Sequence, residues 1–336
     1  MGLKDYKFVW FTEGDWTGKV SLDNPNMRND VSTKYVLGAE HYPIFQIPNV
    51  VKHFGEDHFD FAIVTLPKLN IDQLDHIDLV GELRKISKKV ISMQEGPHWY
   101  FQDYKMEQQI WWYNTLTEFD MLFAHNKKDV EYYKGLTNKP VYKMPTLMLA
   151  ERLGIIQRNE WGDVVIIGGN MVRWYGGFDS YIVAQEFDMP IVAPSMGRKI
   201  DREDEMDITH LPYMPWKEWM NSLSQYHVGV HMMPTHAAGT FTLNCAFHGI
   251  PCIGYKGLDT QEELHPHLSV NDGDIEEAKY LANKLKNDDG FYHECSITCR
   301  ELYEKSLYTE KNFVPYITEI FEGVLSSNKR VRGTDE

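Results

Sequence analysis

Residues 236–254 read HAAGTFTLNCAFHGIPCIG: a Gly-Thr pair opens a helical stretch, a Gly closes it, and a short apolar run follows. A helix starting there would present the backbone N–H groups of Gly239, Thr240, Phe241 and Thr242 at its N-terminus. These groups have no intrahelical partner and carry partial positive charge, so they hold an anion, phosphate above all, without basic side chains. Gly239 allows close approach to the backbone, and the Thr240 and Thr242 hydroxyls are expected to donate further hydrogen bonds. The stretch reads as a diphosphate cradle. Taken alone, it fits a plain strand-to-helix turn with a Thr N-cap about as well.

Other residues with chemistry to offer lie in the first half. TEGDWTGKV (residues 12–20) places Glu13, Gly14 and Asp15 after an apolar run, and QEGPHWYFQD (94–103) places Glu95 and His98 after another. Carboxylates, an aromatic and a pliant backbone suit a hydroxylated ligand, and Asp15, Glu13, Glu95 or His98 could take a proton from a hydroxyl. A solvated loop that needs Gly for its turn is the alternative for each. Metal binding is not expected. The Asp-x-Asp of NDGD (271–274) precedes a helix, where Asp274 makes a good N-cap. His231, His236 and His248 form no helix-spaced pair, and His265–His267 is expected in a surface loop. The four cysteines, Cys245, Cys252, Cys295 and Cys299, show no zinc spacing and read as reduced, mostly buried thiols.

The elements that must position these residues follow from an alternation of apolar runs and amphipathic stretches, the pattern of parallel sheets covered by helices. Strands are expected in 7–14, 59–67, 88–96 and 119–126, then in 163–170, 189–195, 227–234 and 251–255. Helices are expected in 78–87, 105–118, 177–187, 216–225, 240–248 and 274–287. The aromatic group Trp111, Trp112 and Tyr113 reads as packing. Pro140 and Pro145 and a polar stretch interrupt the rhythm midway. The expected fold class is therefore α/β, with two Rossmann-like domains facing across a cleft.

With 336 residues the chain exceeds one usual core, which agrees with two domains. A formal net charge of −15 disfavours a broad nucleic-acid-binding face. No signal-peptide pattern and no apolar run of about 20 residues is seen, so a cytoplasmic protein without a membrane span is expected.

The order of elements from Asp163 to Asn287 resembles the C-terminal, nucleotide-binding domain of GT-B glycosyltransferases, especially the retaining family-4 type. The residues that carry this resemblance are GGNMVRWYGGFDSYIVAQEF, VGVHMMPTHAAGTFTLNCAFHGIPCIG and VNDGDIEEAKYLANKL. In that family a strand ending in Gly is followed by a basic residue and a Lys-Gly pair. A later segment carries two Glu residues eight apart, the second opening a run ending Gly-x-Pro. The resemblance places Gly169 and Arg173 on the donor diphosphate, His236 at the first Glu position near the sugar, and Asn244 at the second, near the ribose. Gly176 replaces the Lys. It also implies residues 1–150 as an acceptor domain, 151–162 as linker, 163–305 as the nucleotide-sugar domain, a helix 306–326 crossing back to the first domain, and a disordered tail 327–336.

The implied activity is transfer of a sugar from a nucleotide-diphosphate donor, a UDP- or GDP-sugar co-substrate, to a hydroxyl of a saccharide, a protein or a modified DNA base. The resemblance implies retention, no metal and no further cofactor. Arg173, His236 and Asp15 are the expected catalytic residues; Glu13, Gly14, Asp15, Glu95 and His98 would face the acceptor. The acidic balance disfavours DNA. A degenerate relative that binds a nucleotide or sugar without turnover is the alternative, since the Lys and both Glu residues are replaced. An epimerase on the same fold would want carboxylates near the diphosphate, where the sequence supplies only His236.

Overall fold

The apolar runs become the inner strands of two sheets. In a computed structural model of the chain the described residues are 2–14, 17–24, 27–66, 71, 74, 77–156, 162–194 and 202–326. The first sheet contains β1 (Phe8–Thr12), β2 (Gly18–Lys19), β3 (Glu40–Pro43), β4 (Phe59–Thr65), β5 (Ser87–Gln94), β6 (Met121–Ala124) and β7 (Val141–Lys143). Its order is β2-β3-β1-β4-β5-β6-β7, parallel except for the β2–β3 pair. The second contains β8 (Val165–Ile167), β9 (Ile191–Pro194), β10 (Thr209–Leu211), β11 (Val228–His231), β12 (Cys252–Tyr255) and β13 (Ser269–Val270). It is parallel throughout in the order β10-β9-β8-β11-β12-β13.

Parallel strands need crossover helices that cover both faces, so their inner strands are apolar without interruption. Every residue of β1, β8, β11 and β12 is buried accordingly. Among the described residues, buried apolar side chains gather on each sheet. One cluster holds Val9, Phe11, Val64, Val90 and Leu122 under the helices of the first sheet, the other Val165, Ile167, Val230, Ile253 and Leu281 under those of the second. Helix ends carry the side chains that their free N–H groups require. Asp78 accepts from Gly81 N–H at 2.9 Å, Asn126 from Asp129 N–H at 2.8 Å, Asp274 from Glu277 N–H at 3.1 Å and Asp288 from Phe291 N–H at 2.9 Å. Asp274 is thus a cap, as its position before a helix suggested.

The chain divides into two compact units. The first takes in the described residues within Met1–Asn24, Val31–Pro145 and Glu310–Glu336, and the second those within Pro25–Asp30 and Thr146–Thr309. The division therefore falls at Pro145–Thr146. Within the expected linker, the short helix Ala150–Leu153 ends at Gly154, and residues 157–161 lie outside the described residues, as does the expected tail 327–336. The last helix, Glu310–Ser326, packs in the first unit. There Phe321 meets the rings of Phe8, Phe61 and Phe123 at centroid distances of 4.9, 4.5 and 5.9 Å, and the Tyr316 hydroxyl donates to the Lys143 carbonyl at 2.8 Å. The aromatic group of helix Met106–Glu118 splits. Trp112 is buried and stacked on Phe101 at 4.7 Å, whereas Tyr113 is exposed.

Candidate functional site

The second sheet reverses its winding between β8 and β11, the adjacent inner strands from which the chain runs outward in opposite directions. Ligands of open α/β sheets bind beyond the carboxyl ends of the strands at such a switch point, because the loops there splay apart. Two loops occupy it: residues 168–176, leading into helix Gly177–Ala184, and residues 232–239, leading into helix Thr240–His248. Gly176 locks them together. It has φ of 64°, and a Cβ there would lie 1.6 Å from the Met232 carbonyl oxygen. Ser180 Oγ adds to this, donating to the Gly176 carbonyl at 2.8 Å and accepting from Met232 N–H at 2.9 Å.

Gly239 caps the second helix in the left-handed region, with φ of 67° and ψ of 41°. A Cβ there would stand 1.9 Å from Thr260 Oγ1, so the position excludes any side chain. Its carbonyl accepts from Leu243 N–H at 3.2 Å and from the hydroxyls of Thr260 and Thr242 at 2.9 and 3.1 Å. The N–H groups of Thr240, Phe241 and Thr242 have no partner among the described residues, as the cradle requires. One expectation is corrected. Thr242 is fully buried, and its hydroxyl lies 2.6 Å from Thr260 Oγ1 as well as bonding Gly239, so it braces the turn from inside and does not face a phosphate. Thr240 is half-buried, and its hydroxyl has no partner among the described residues.

Arg173 lies in the other loop, in the single turn Arg173–Tyr175. It is exposed, and its guanidinium makes no ion pair or hydrogen bond with any described residue. Gly169, beside it in the chain, is half-buried at the turn that follows β8. Asn170 is buried with an Oδ1 that no donor among the described residues reaches. Beneath the loop, His231 Nδ1–H donates to the Gly168 carbonyl at 3.0 Å, and burial pulls its pKa down to about 4 against the raising effect of that bond. The imidazole is therefore neutral at pH 7 and adds no charge.

The two positions at which the resemblance implied Glu are held otherwise. His236 is half-buried, and its Nδ1–H donates to the Gly257 carbonyl at 2.6 Å. Asn244 is buried, with its Nδ2–H donating to Asn29 Oδ1 at 3.2 Å, while Asn29 Nδ2–H donates to the Leu147 carbonyl at 3.2 Å. Asn244 Oδ1 has no partner among the described residues. His265 also departs from expectation. Far from lying in a surface loop, it is buried, donates through Nε2–H to the Thr242 carbonyl at 3.0 Å, and has its pKa pulled down to about 4 by burial.

In the first unit, Glu13 and the exposed Gly14 follow β1, and Asp15 lies outside the described residues. Burial, then Tyr100, then Glu13 push the Tyr104 phenol up. Glu95 is half-buried just beyond β5. His98 is held by Asp129, a residue that sequence reasoning passed over. Asn126-x-x-Asp129 ahead of an apolar stretch is a helix-start pattern, and that signal was readable. Thr260 left none, because its partner is Gly239. Among the described residues, no group of three or more His, Cys, Asp and Glu is arranged to hold a metal ion, and no helix is long and apolar enough to cross a membrane. All four cysteines are free and buried.

No protein-family model matches the sequence, and no curated protein matches it either. Solved structures do match. HepE of Anabaena, in complex with UDP-glucose, has a TM-score of 0.64 at 10% identity, covering 95% of this chain and 100% of its own. An alpha-glucosyltransferase in complex with UDP and a 13-mer DNA containing an HMU base has a TM-score of 0.64 at 11% identity, with 95% and 98% covered. S. aureus TarM has a TM-score of 0.64 at 9% identity over 82% of this chain, which spans 57% of the TarM chain. Two parallel α/β units, a second sheet wound outward from β8 and β11, and these likenesses together give the chain the GT-B fold of glycosyltransferases.

Proposed function

We propose that the chain is a glycosyltransferase that moves a sugar from a nucleoside diphosphate sugar to a hydroxyl acceptor. The observation that carries this reading is that, at one switch point, the exposed Arg173 and the N–H groups of Thr240, Phe241 and Thr242 have no partner among the described residues. A guanidinium fork and a helix N-terminus are complementary to a diphosphate, and both stabilise the charge that grows on it as the glycosidic bond breaks. Neighbours solved with UDP or UDP-glucose make a UDP-sugar the first donor to try. With that charge met by Arg173 and backbone N–H groups, the transfer proceeds without a metal ion. Retention follows from the likeness to family-4 enzymes.

The acceptor is a hydroxyl of a saccharide, a protein or a modified DNA base. One neighbour is solved with DNA, but a net charge of −15 weighs against DNA for this chain. A second reading, a protein that binds the nucleotide without turnover, is favoured by one observation: neither motif Glu position carries a carboxylate, and Asn244 is bonded inward to Asn29. Release of UDP from UDP-glucose, and of GDP from GDP-glucose, tests between the two. Turnover that falls in Arg173→Ala supports the transferase. Binding with no release under any acceptor supports the second reading.

A further inference from the structure

The anion cradle is aimed by side chains from outside its own helix. Helix Asp259–Leu264 has six residues, too few to hold its place without tertiary ties. Those ties run to the cradle. The Thr260 hydroxyl donates to the Gly239 carbonyl at 2.9 Å and lies 2.6 Å from Thr242 Oγ1. His265, at the C-terminal end of the short helix, donates through Nε2–H to the Thr242 carbonyl at 3.0 Å. Glu262 Oε1 accepts Gly257 N–H at 2.6 Å, and the Gly257 carbonyl accepts His236 Nδ1–H at 2.6 Å. The chain is thus held at Gly239 and Thr242, on both sides of the N–H groups of Thr240 and Phe241, and again at His236.

The same helix is held in turn by Tyr308. Its hydroxyl donates to Glu263 Oε2 at 2.8 Å, three residues beyond Thr260. Tyr308 is fully buried, and burial, then Glu263, push its phenol well above the usual range, so it stays a donor at working pH. Its backbone is fixed as well: the carbonyl accepts Met148 N–H at 2.9 Å, and the N–H donates to Ser306 Oγ at 3.2 Å. All these residues belong to the second unit. A side chain that only filled space would need no hydroxyl, since burying one costs free energy unless it is bonded.

We propose that Tyr308 is a positioning residue for the diphosphate: through Glu263 it fixes helix Asp259–Leu264, and through Thr260 and His265 that helix fixes the N–H groups that receive the anion. This rests on the nucleotide-binding reading above. Deleting the hydroxyl leaves every group that would touch the ligand in place, yet it frees the helix that aims them. Affinity falls while the binding groups remain.

The full chain is titrated by calorimetry with UDP, GDP and inorganic pyrophosphate, and hydrogen exchange is followed in the ligand-free protein. Tyr308→Phe is expected to bind its nucleotide and pyrophosphate about 3- to 30-fold more weakly. It should also exchange faster at Leu243, whose N–H bonds the Gly239 carbonyl, and across residues 259–264. Glu263→Ala removes the same bond from its half-buried side and should act alike, which keeps the proposal testable if Tyr308→Phe folds poorly. The double variant should lose no more than the weaker-binding single one. Tyr292→Phe is the control. It deletes another buried hydroxyl of the second unit, one that donates to the His227 carbonyl at 2.6 Å beside the amino end of β11, and it should bind as the wild type does. Binding within twofold of the wild type in both single variants overturns the proposal. Equal weakening by Tyr292→Phe overturns it too, as does weaker binding with unchanged exchange at 259–264. In each of these cases a wild type that binds nucleotide leaves the reading of the cradle standing. A wild type that binds none of the three ligands ends that reading, and this proposal with it.

Discussion

Arg173 and Gly239 act on the same anion by different means, and their substitutions separate accordingly. Arg173 is exposed and has no partner among the described residues, so Arg173→Ala should leave stability within about 0.5 kcal/mol and weaken nucleoside diphosphate binding by roughly 10- to 100-fold, as read by calorimetry. Gly239→Ala should do both kinds of harm. Its φ of 67° and the Thr260 hydroxyl 1.9 Å from the added methyl set a cost of about 2 kcal/mol or more, and the turn that aims the N–H groups shifts with it. A thermal melt with and without UDP checks both effects. The glycine and the helix start were legible in the sequence because Gly-Thr after an apolar strand has few other uses. The inward turn of Thr242 was not, since it depends on Thr260, which belongs to the next helix, Asp259–Leu264. Asn244 illustrates the same limit: its partner Asn29 lies 215 residues away in the chain.

At the scale of elements, helix Thr240–His248 is flanked by two buried neutral histidines, and they tie its stability to pH. His231 and His265 each have a pKa pulled from 6.5 to about 4 by burial. In acid the unfolded chain takes up a proton before the folded one does, so the stability present above pH 6.5 is lost as the pH falls toward 4. Each shift corresponds to about 3 kcal/mol at most. Urea midpoints should therefore drop between pH 7 and pH 4.5, and His265→Gln should show a smaller drop than the wild type. An equal drop in both would remove His265 from the account. Inner strands were legible because burial on both faces leaves an unbroken apolar run. The short β2, β3, β10 and β13 were not, as two to four residues of mixed polarity carry no period.

For the molecule as a whole, the last helix completes the first unit, so damage there should appear at the opposite end of the sequence. Phe321 is fully buried among Phe8, Phe61 and Phe123, and Phe321→Ala should cost about 3–5 kcal/mol. Hydrogen exchange should then report faster opening in β1 and β4 than in β8 and β11. The alternation of strands and helices made the two α/β units readable, whereas the return of residues 310–326 to the first of them came only from family resemblance. The central claim is that Arg173 and the N-terminus of helix Thr240–His248 hold a nucleoside diphosphate, and calorimetric titration of the wild type and Arg173→Ala with UDP, GDP and ADP tests it most directly. The account predicts saturable binding of one of them to the wild type and at least about tenfold weaker binding to the variant. Absence of binding to all three, or equal affinity in the two proteins, would contradict it.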